Sequence, residues 1–205
     1  MTIVQPKQER SRKTLEALLK TGVRLLKTGN PSDLRIEEVV SKAGSSIGSF
    51  YARFPSKSAY LEALAERLES DLSERLDKLV DGESSPTDVV GMAEALVDAL
   101  SEEGRQRSAL RRADGEIAKR GRQTDRRVIK KAVAAFGRAG VTDMDKGQRA
   151  TELLVAAVDG ASQTFATDES RTALLSELPA IMVSYLKPPP ARTFREPVDP
   201  FDVWA

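Results

Sequence analysis

The chain has 205 residues, with 32 Lys or Arg against 31 Asp or Glu, and contains no cysteine or histidine. Without cysteine there is no disulfide framework, thiolate zinc site or cysteine nucleophile. Without histidine the usual general base and the commonest metal ligand are missing, so neither an enzyme nor a cofactor or metal is expected. The net charge of +1 hides an asymmetry: residues 1–57 carry 11 basic and 5 acidic side chains, net +6, and the remainder carries 21 against 26, net −5.

The elements read helical from end to end. Residues 9–28 place Leu15, Leu18, Leu19, Gly22, Leu25 and Leu26 on one side at spacings of three and four. Gly29-Asn30-Pro31 ends that helix. Ser32 or Asp33 is suited to cap a short helix at about 35–43, and Ser45 or Ser46 one at about 46–52. After Pro55-Ser56 a long helix runs over about 57–80 on Leu61, Leu64, Leu68, Leu72, Leu76 and Leu79, and 81–86 is a loop. Helices are expected at about 87–101, 105–113, 115–138, 147–166 and 169–186, with a break at Asp114-Gly115 and Pro179 marking a start or kink in the last. The tail from 188, with five prolines, has no helical period and is expected to be extended. No stretch alternates like a strand, so the fold class is all-α.

No apolar run approaches the roughly 20 residues of a membrane span, and MTIVQPKQERSRKT lacks the apolar core of a secretory leader. A cytoplasmic protein with no membrane partner is expected.

Residues 36–57, IEEVVSKAGSSIGSFYARFPSK, carry the most specific signal. A short helix, an Ala43-Gly44 turn and a second short helix suit a helix-turn-helix. Val40 lets the helices approach, Gly44 can take the left-handed turn backbone, and Phe50 points into the core with Ile36, Val39 and Ala43. Ser46, Ile47, Gly48, Ser49, Tyr51 and Arg53 are left for a groove and its phosphates, with Ile47 able to touch a thymine methyl. Lys57 opens the next helix, where a backbone N–H and an ammonium can share a phosphate. The basic head on an acidic body is the distribution expected when only the head meets DNA.

Ala43-Gly44, Gly48-Ser49, Phe50-Tyr51 and Phe54-x-x-Lys57 resemble the DNA-binding signature of the tetracycline-repressor (TetR) family of bacterial transcriptional regulators, over about residues 15–64. Three positions depart from it: Ser45 stands where an apolar residue is usual, Tyr60 where Leu is common, and Arg35 where a phosphate-binding Thr is usual, although Arg35 can still hold a phosphate. The resemblance implies about nine helices in two domains. An N-terminal three-helix DNA-binding domain with the helix-turn-helix would occupy 1–55, and a larger helical effector-binding and dimerisation domain 56–187, followed by the tail, 188–205. It implies a homodimer on a palindromic double-stranded operator and release by a small-molecule effector, in most members as repression.

The resemblance also implies an effector pocket, for which the apolar candidates are Met92, Leu96, Leu100, Leu110, Ile117, Val133, Phe136 and Phe165. Each is more often plain core. Asp98 and Asp159 would favour a cationic effector if buried. Residues 105–138 hold 12 Lys/Arg against 3 acids, net +9. This is a solvated face on the ordinary reading, or else the site of an anionic effector such as a fatty acyl thioester of coenzyme A. Leu153, Leu154, Ala157, Ala161, Leu174, Leu178, Ile181, Met182 and Tyr185 are the candidates for a four-helix subunit seam. Phe194, Phe201 and Trp204 are apolar anchors in the tail. The alternative function is a helical protein-interaction or architectural DNA-binding protein without effector response.

Overall fold

A computed structural model describes residues 9–82, 85–164 and 168–187, and these are helical with no strand among them. The order is α1 (Glu9–Leu25), a 3-10 turn (Pro31–Asp33), α2 (Ile36–Lys42), α3 (Ile47–Tyr51), α4 (Lys57–Asp81), α5 (Val89–Ser101), α6 (Gly104–Ala113), α7 (Gly115–Arg138), α8 (Met144–Thr164) and α9 (Asp168–Leu186). The tail beginning at 188, with Phe194, Phe201 and Trp204, lies outside the described residues. No helix among the described residues is long and apolar enough to cross a membrane.

Helix starts follow local capping chemistry. Ser46 Oγ accepts from Ser49 N, Ser56 Oγ from Ala59 N, Asp88 from Val90 N and Gly91 N, and Asp114 from Glu116 N and Ile117 N. Asp114 is therefore the start signal of α7 as well as the break after α6. Helix α8 begins earlier than its apolar pattern suggests, because the Asp143 carboxylate accepts from Lys146 N at 2.9 Å. The expected cap of α2 does not form. Arg35 occupies the N-cap without a side-chain bond, while Asp33 accepts from Ser32 Oγ and Asn30 Nδ2 inside the preceding turn. Pro179 lies within α9.

Two hydrophobic clusters organise the chain. The first joins α1, α2 and α3 to the first half of α4 through Leu18, Val39, Phe50, Phe54, Tyr60, Leu64 and Leu68, and it also takes in Leu110 of α6 and Ile117 of α7. The second joins the rest of α4, from Leu72 to Val80, to α5, α7, α8 and α9. Helix α4 is thus one uninterrupted rod with an end in each core.

Tyr60 anchors the first core. It is fully buried, its Oη donates to Leu18 O at 2.6 Å, and its ring meets Phe50 and Phe54 with centroids 5.0 and 4.9 Å away. Burial holds the phenol protonated. Here the residue that departs from the family pattern fills the core and satisfies a helix carbonyl. The space opposite is kept by Gly22, where an added Cβ would strike Tyr60 Oη and come within 2.8 Å of the Leu64 methyls.

Gly22→Val is therefore expected to destabilise the fold by about 1–3 kcal/mol through overpacking. Tyr60→Phe should cost about 1 kcal/mol through the lost bond to Leu18. Urea unfolding followed by helicity and by tryptophan-independent near-ultraviolet signal checks both.

Candidate nucleic-acid interface

The turn between α2 and α3 closes on backbone bonds, Gly44 N to Ser41 O at 3.2 Å and Ser45 N to Val40 O at 2.8 Å, with Gly44 at φ +62°. That left-handed conformation costs glycine little. Phe50 and Val39 are fully buried behind the turn, with Ile36 and Val40 nearly so. Ser45 Oγ is buried without a hydrogen-bond partner among the described residues, so the departure at 45 does leave the turn core less well matched.

With one side of α3 locked inward, the other side faces out. Ile47 is 47% and Tyr51 51% exposed. Ser46, Gly48 and, on α2, Arg35 are also exposed, and Ser49 is half-buried. Ile47 is not drawn inward by the serine at 45. Ser46 uses an oxygen lone pair for its cap but retains its hydroxyl proton. Lys57 Nζ donates to Ser32 O at 2.6 Å, which holds the ammonium beside the turn preceding α2. Tyr51 sits edge-on against Phe50, centroids 5.3 Å apart, so its ring is braced while the side chain stays half exposed.

Arg53, a candidate for backbone contact, is turned toward α1: Nη1 donates to Ser49 O at 2.6 Å and Nη2 to Ser11 Oγ at 2.8 Å. Its Nε is buried without a partner. The guanidinium clamps α3 to the start of α1, because the side chain lies half-buried between the two helices and meets their acceptors before it reaches solvent.

Most of the apolar effector-pocket candidates lie in the two hydrophobic cores. Met92, Leu96, Leu100 and Phe136 are core residues of the body, and Leu110 and Ile117 belong to the core of the head. Val133 is half-buried on α7, and Phe165 lies outside the described residues. At that depth apolar side chains gain more from one another than from an open wall. Of these residues Leu100 borders a void of about 20 Å³, which it shares with Arg107, Arg111, Asp159 and Ser162. Asp98 is exposed, and Asp159 accepts from Gln163 at 2.6 Å, so neither is a buried orphan acid.

The basic stretch divides into distinct roles. Arg107 is buried, and its guanidinium caps the end of α5 by donating to Glu102 O at 2.6 Å and to Leu100 O. Burial, aided by the charges of Arg75 and Arg111, lowers its pKa to about 10, so it stays charged at neutral pH. Arg111 makes a two-pronged pair with Asp125 at 3.0 Å, Arg105 pairs with Asp168 at 3.1 Å, and Lys131 with Asp77. Arg120, Arg122, Arg126, Arg127 and Lys130 have no ion pair among the described residues. Of these, Arg120 and Arg127 border an open groove between α4 and α7 whose other wall holds Glu66 and Glu69. Arg120 and Arg127 lie in the basic stretch already singled out, while Glu66 and Glu69 were not foreseen, although polar residues recurring at helical spacing on α4, 66, 69, 70 and 73, were the signal that could have found them.

The seam candidates also divide. Leu154, Ala161, Leu178 and Met182 are buried in the body core, because α8 and α9 turn those positions inward against α5 and α7. Leu153, Ile181 and Tyr185 remain exposed at 65%, 60% and 39%, with Ala157 and Leu174 half-buried. Leu153 lies on α8 and Ile181 and Tyr185 on α9, two helices that pack against each other.

Residues 18–64 match the family model of bacterial regulatory proteins, tetR family. No curated protein matches the chain in sequence. Among solved structures, GusR of Salmonella enterica superposes with a TM-score of 0.61 at 19% identity, covering 89% of this chain and 100% of the other. A transcriptional regulator from Cytophaga hutchinsonii gives 0.68 at 15% identity, covering 84% and 96%. FadR from Bacillus subtilis, solved with stearoyl-CoA, gives 0.57 at 13% identity, covering 84% and 98%. These likenesses extend the shared fold over both head and body.

Arg53→Ala should lower stability by about 1–3 kcal/mol, because it removes charge-assisted bonds and frees α1 from α3; a thermal melt reads this without DNA. A second expectation concerns Glu69. Burial raises its pKa, opposed by Arg111, by a hydrogen bond from Thr124 and by Arg120, with Asp125 adding to the rise. A raised carboxylate contributes its full share below the ordinary carboxylate range and loses it as pH climbs through the folded-state value. Glu69→Gln should accordingly melt higher than the parent at neutral pH, with the difference vanishing below about pH 4. Melts of the two chains across pH check the sign.

Proposed function

We propose that this chain, a tetR-family transcriptional regulator by its match over residues 18–64 and by its fold, is an operator-binding repressor that works as a homodimer and lets go of DNA when a small molecule occupies its body. Residues 1–55 act as the reading head and 56–187 as the effector and dimerisation body. The observation that carries the reading is the outward face of α3. A five-residue helix held by Phe50 from behind and capped by Ser46 exposes Ile47, Gly48 and Tyr51 together. Small side chains there let the backbone approach a major groove closely.

Each side chain then has a definable part. Ile47 and Gly48 meet base edges, Ser46 and Ser49 bond bases or phosphates, and Tyr51, Arg35 and Lys57 hold the DNA backbone. Arg53 positions α3 from within the fold. Two heads one turn of DNA apart suit a palindrome, and the exposed Leu153, Ile181 and Tyr185 offer the surface that joins two bodies.

The body is coupled to the head along two routes. Helix α4 enters both cores, and α6 places Leu110 in the core of the head while its first residues pack against α8 and α5. A ligand that favours one placement of these helices changes the spacing of the two recognition helices by its difference in affinity for the two states. The basic stretch of α6 and α7 suits an anionic effector, while most of the apolar pocket candidates are core residues.

In a mobility shift with the DNA upstream of the chain's own gene, Tyr51→Ala and Lys57→Ala should each weaken specific binding by about 1–3 kcal/mol, and Lys57→Ala should also reduce the salt slope by about 1. Binding that is unchanged, or equally strong on unrelated DNA, favours the architectural alternative. The double variant Leu153→Glu/Ile181→Glu should sediment as a folded monomer and lose about 100-fold or more in operator affinity, as the second head no longer binds with the first. A parent chain that sediments as a monomer at micromolar concentration refutes the seam.

A further inference from the structure

The groove between α4 and α7 has a volume of about 460 Å³, within the roughly 300–1,000 Å³ typical of small-molecule sites. Its floor is narrow and apolar, formed by the buried Leu76 and Val128. One wall is α4, carrying Glu66 and Glu69. The other is α7, carrying Arg120 and Arg127. The two walls are opposite in sign, and Arg120 acts on Glu69 through space without contact. No ion pair joins Glu66 or Glu69 to Arg120 or Arg127 among the described residues. The helices are joined at the end of the groove by Lys131 and Asp77, and beyond it by Arg138, which donates to Val80 O at 2.9 Å and pairs with Asp81.

Such a groove selects by dipole rather than by net charge. A simple anion is drawn to the arginines but meets two carboxylates opposite, and a simple cation meets the reverse. A molecule with an ammonium at one end and a carboxylate or phosphate at the other satisfies both walls, and the mismatched wall penalises its singly charged relatives. The half-buried Glu69 is raised by burial and steadied by Thr124, a group waiting for a better cation than solvent supplies.

We propose that the α4–α7 groove binds a small dipolar ligand, whose cationic group is held by Glu66 and Glu69 and whose anionic group is held by Arg120 and Arg127. This deepens the reading of the body as an effector domain and rests on it for its regulatory meaning. The ligand bridges α7 to the one helix whose first half, with Tyr60, Leu64 and Leu68, is built into the core of the reading head. Drawing α4 toward α7 is therefore felt at the head.

Isothermal calorimetry on the full chain, without DNA, tests the site with a series of ω-amino carboxylates of increasing length beside the alkylamines and alkylcarboxylates of matching length. At the best length the dipolar compound is expected to bind about tenfold or more tighter than either singly charged relative. Glu66→Gln should erase its advantage over the carboxylate, and Arg127→Gln its advantage over the amine. Both residues lie at the surface, and far-ultraviolet spectra confirm that the variants fold. Equal affinity for the carboxylate and its amino derivative, indifference to both substitutions, or no binding by any member overturns the proposal. A mobility shift separates it from the reading it rests on. Dipolar binding that leaves operator affinity unchanged upholds the site and removes its regulatory role. Release of the operator by an uncharged compound, with the dipolar series silent in calorimetry, sinks the site and keeps the regulator. Where both hold, the operator affinity is expected to fall about 5- to 150-fold.

Discussion

Most of the architecture depends on α4 being a single unbroken helix shared by two hydrophobic cores. Its leucines at 64, 68, 72 and 76 are all essentially without exposure, yet the first two pack among α1, α2 and α3 and the last two among α5, α7 and α8. A helix buried at both ends cannot bend cheaply between them, since each end is held by close-packed side chains with few voids to absorb movement. The head is therefore not a bead on a tether. Its position is set by whatever sets the axis of α4, and Arg67, paired with Glu16 at 2.6 Å and with Asp71, pins α1 to that same axis.

The reading head illustrates how much of a helix-turn-helix is internal work. Seven outward groups can be named on and around α3, yet the geometry comes from Phe50 and Phe54 behind it, Tyr60 beneath them and Arg53 at its end. A five-residue helix has too few internal hydrogen bonds to persist by itself. It is helical because Ser46 caps it, Gly44 turns the chain into it and the aromatic cluster holds one face. The polar interior of the body works in a similar way. Arg107, Arg111 and Arg75 join helix ends and neighbouring helices through carbonyls and carboxylates. Arg107 is tolerated in the interior because its guanidinium is bonded to two carbonyls that would otherwise be bare, whereas Arg75 keeps a buried Nε without a partner among the described residues.

Helix positions, the all-α class and the helix-turn-helix were legible in the sequence because each rests on local physics: apolar spacing, caps, and the glycine at 44. The outward residues of α3 were legible for the same reason, since a helix that hides Phe50 must expose Ile47 and Tyr51. What could not be read was which partner a long side chain would choose. Arg53 and Lys57 look alike on paper as basic residues near a recognition helix, but one reaches Ser11, 42 positions away, and the other Ser32, 25 positions away. The apolar positions of α8 and α9 showed the same limit. Leu153 and Leu154 are neighbours of one type, and only packing sends one outward and the other into the core.

By itself, then, the sequence determined the fold class and the helix-turn-helix, because short-range periodicity, capping and one turn carry that information. The tertiary structure alone decided three things. It placed most of the apolar pocket candidates in two cores, it split the basic stretch into a buried cap, ion pairs and side chains with no ion pair among the described residues, and it set Glu66 and Glu69 opposite Arg120 and Arg127 across a groove. These depend on helices far apart in the chain meeting at one register, and spacing along a single helix does not encode what the next one brings to it.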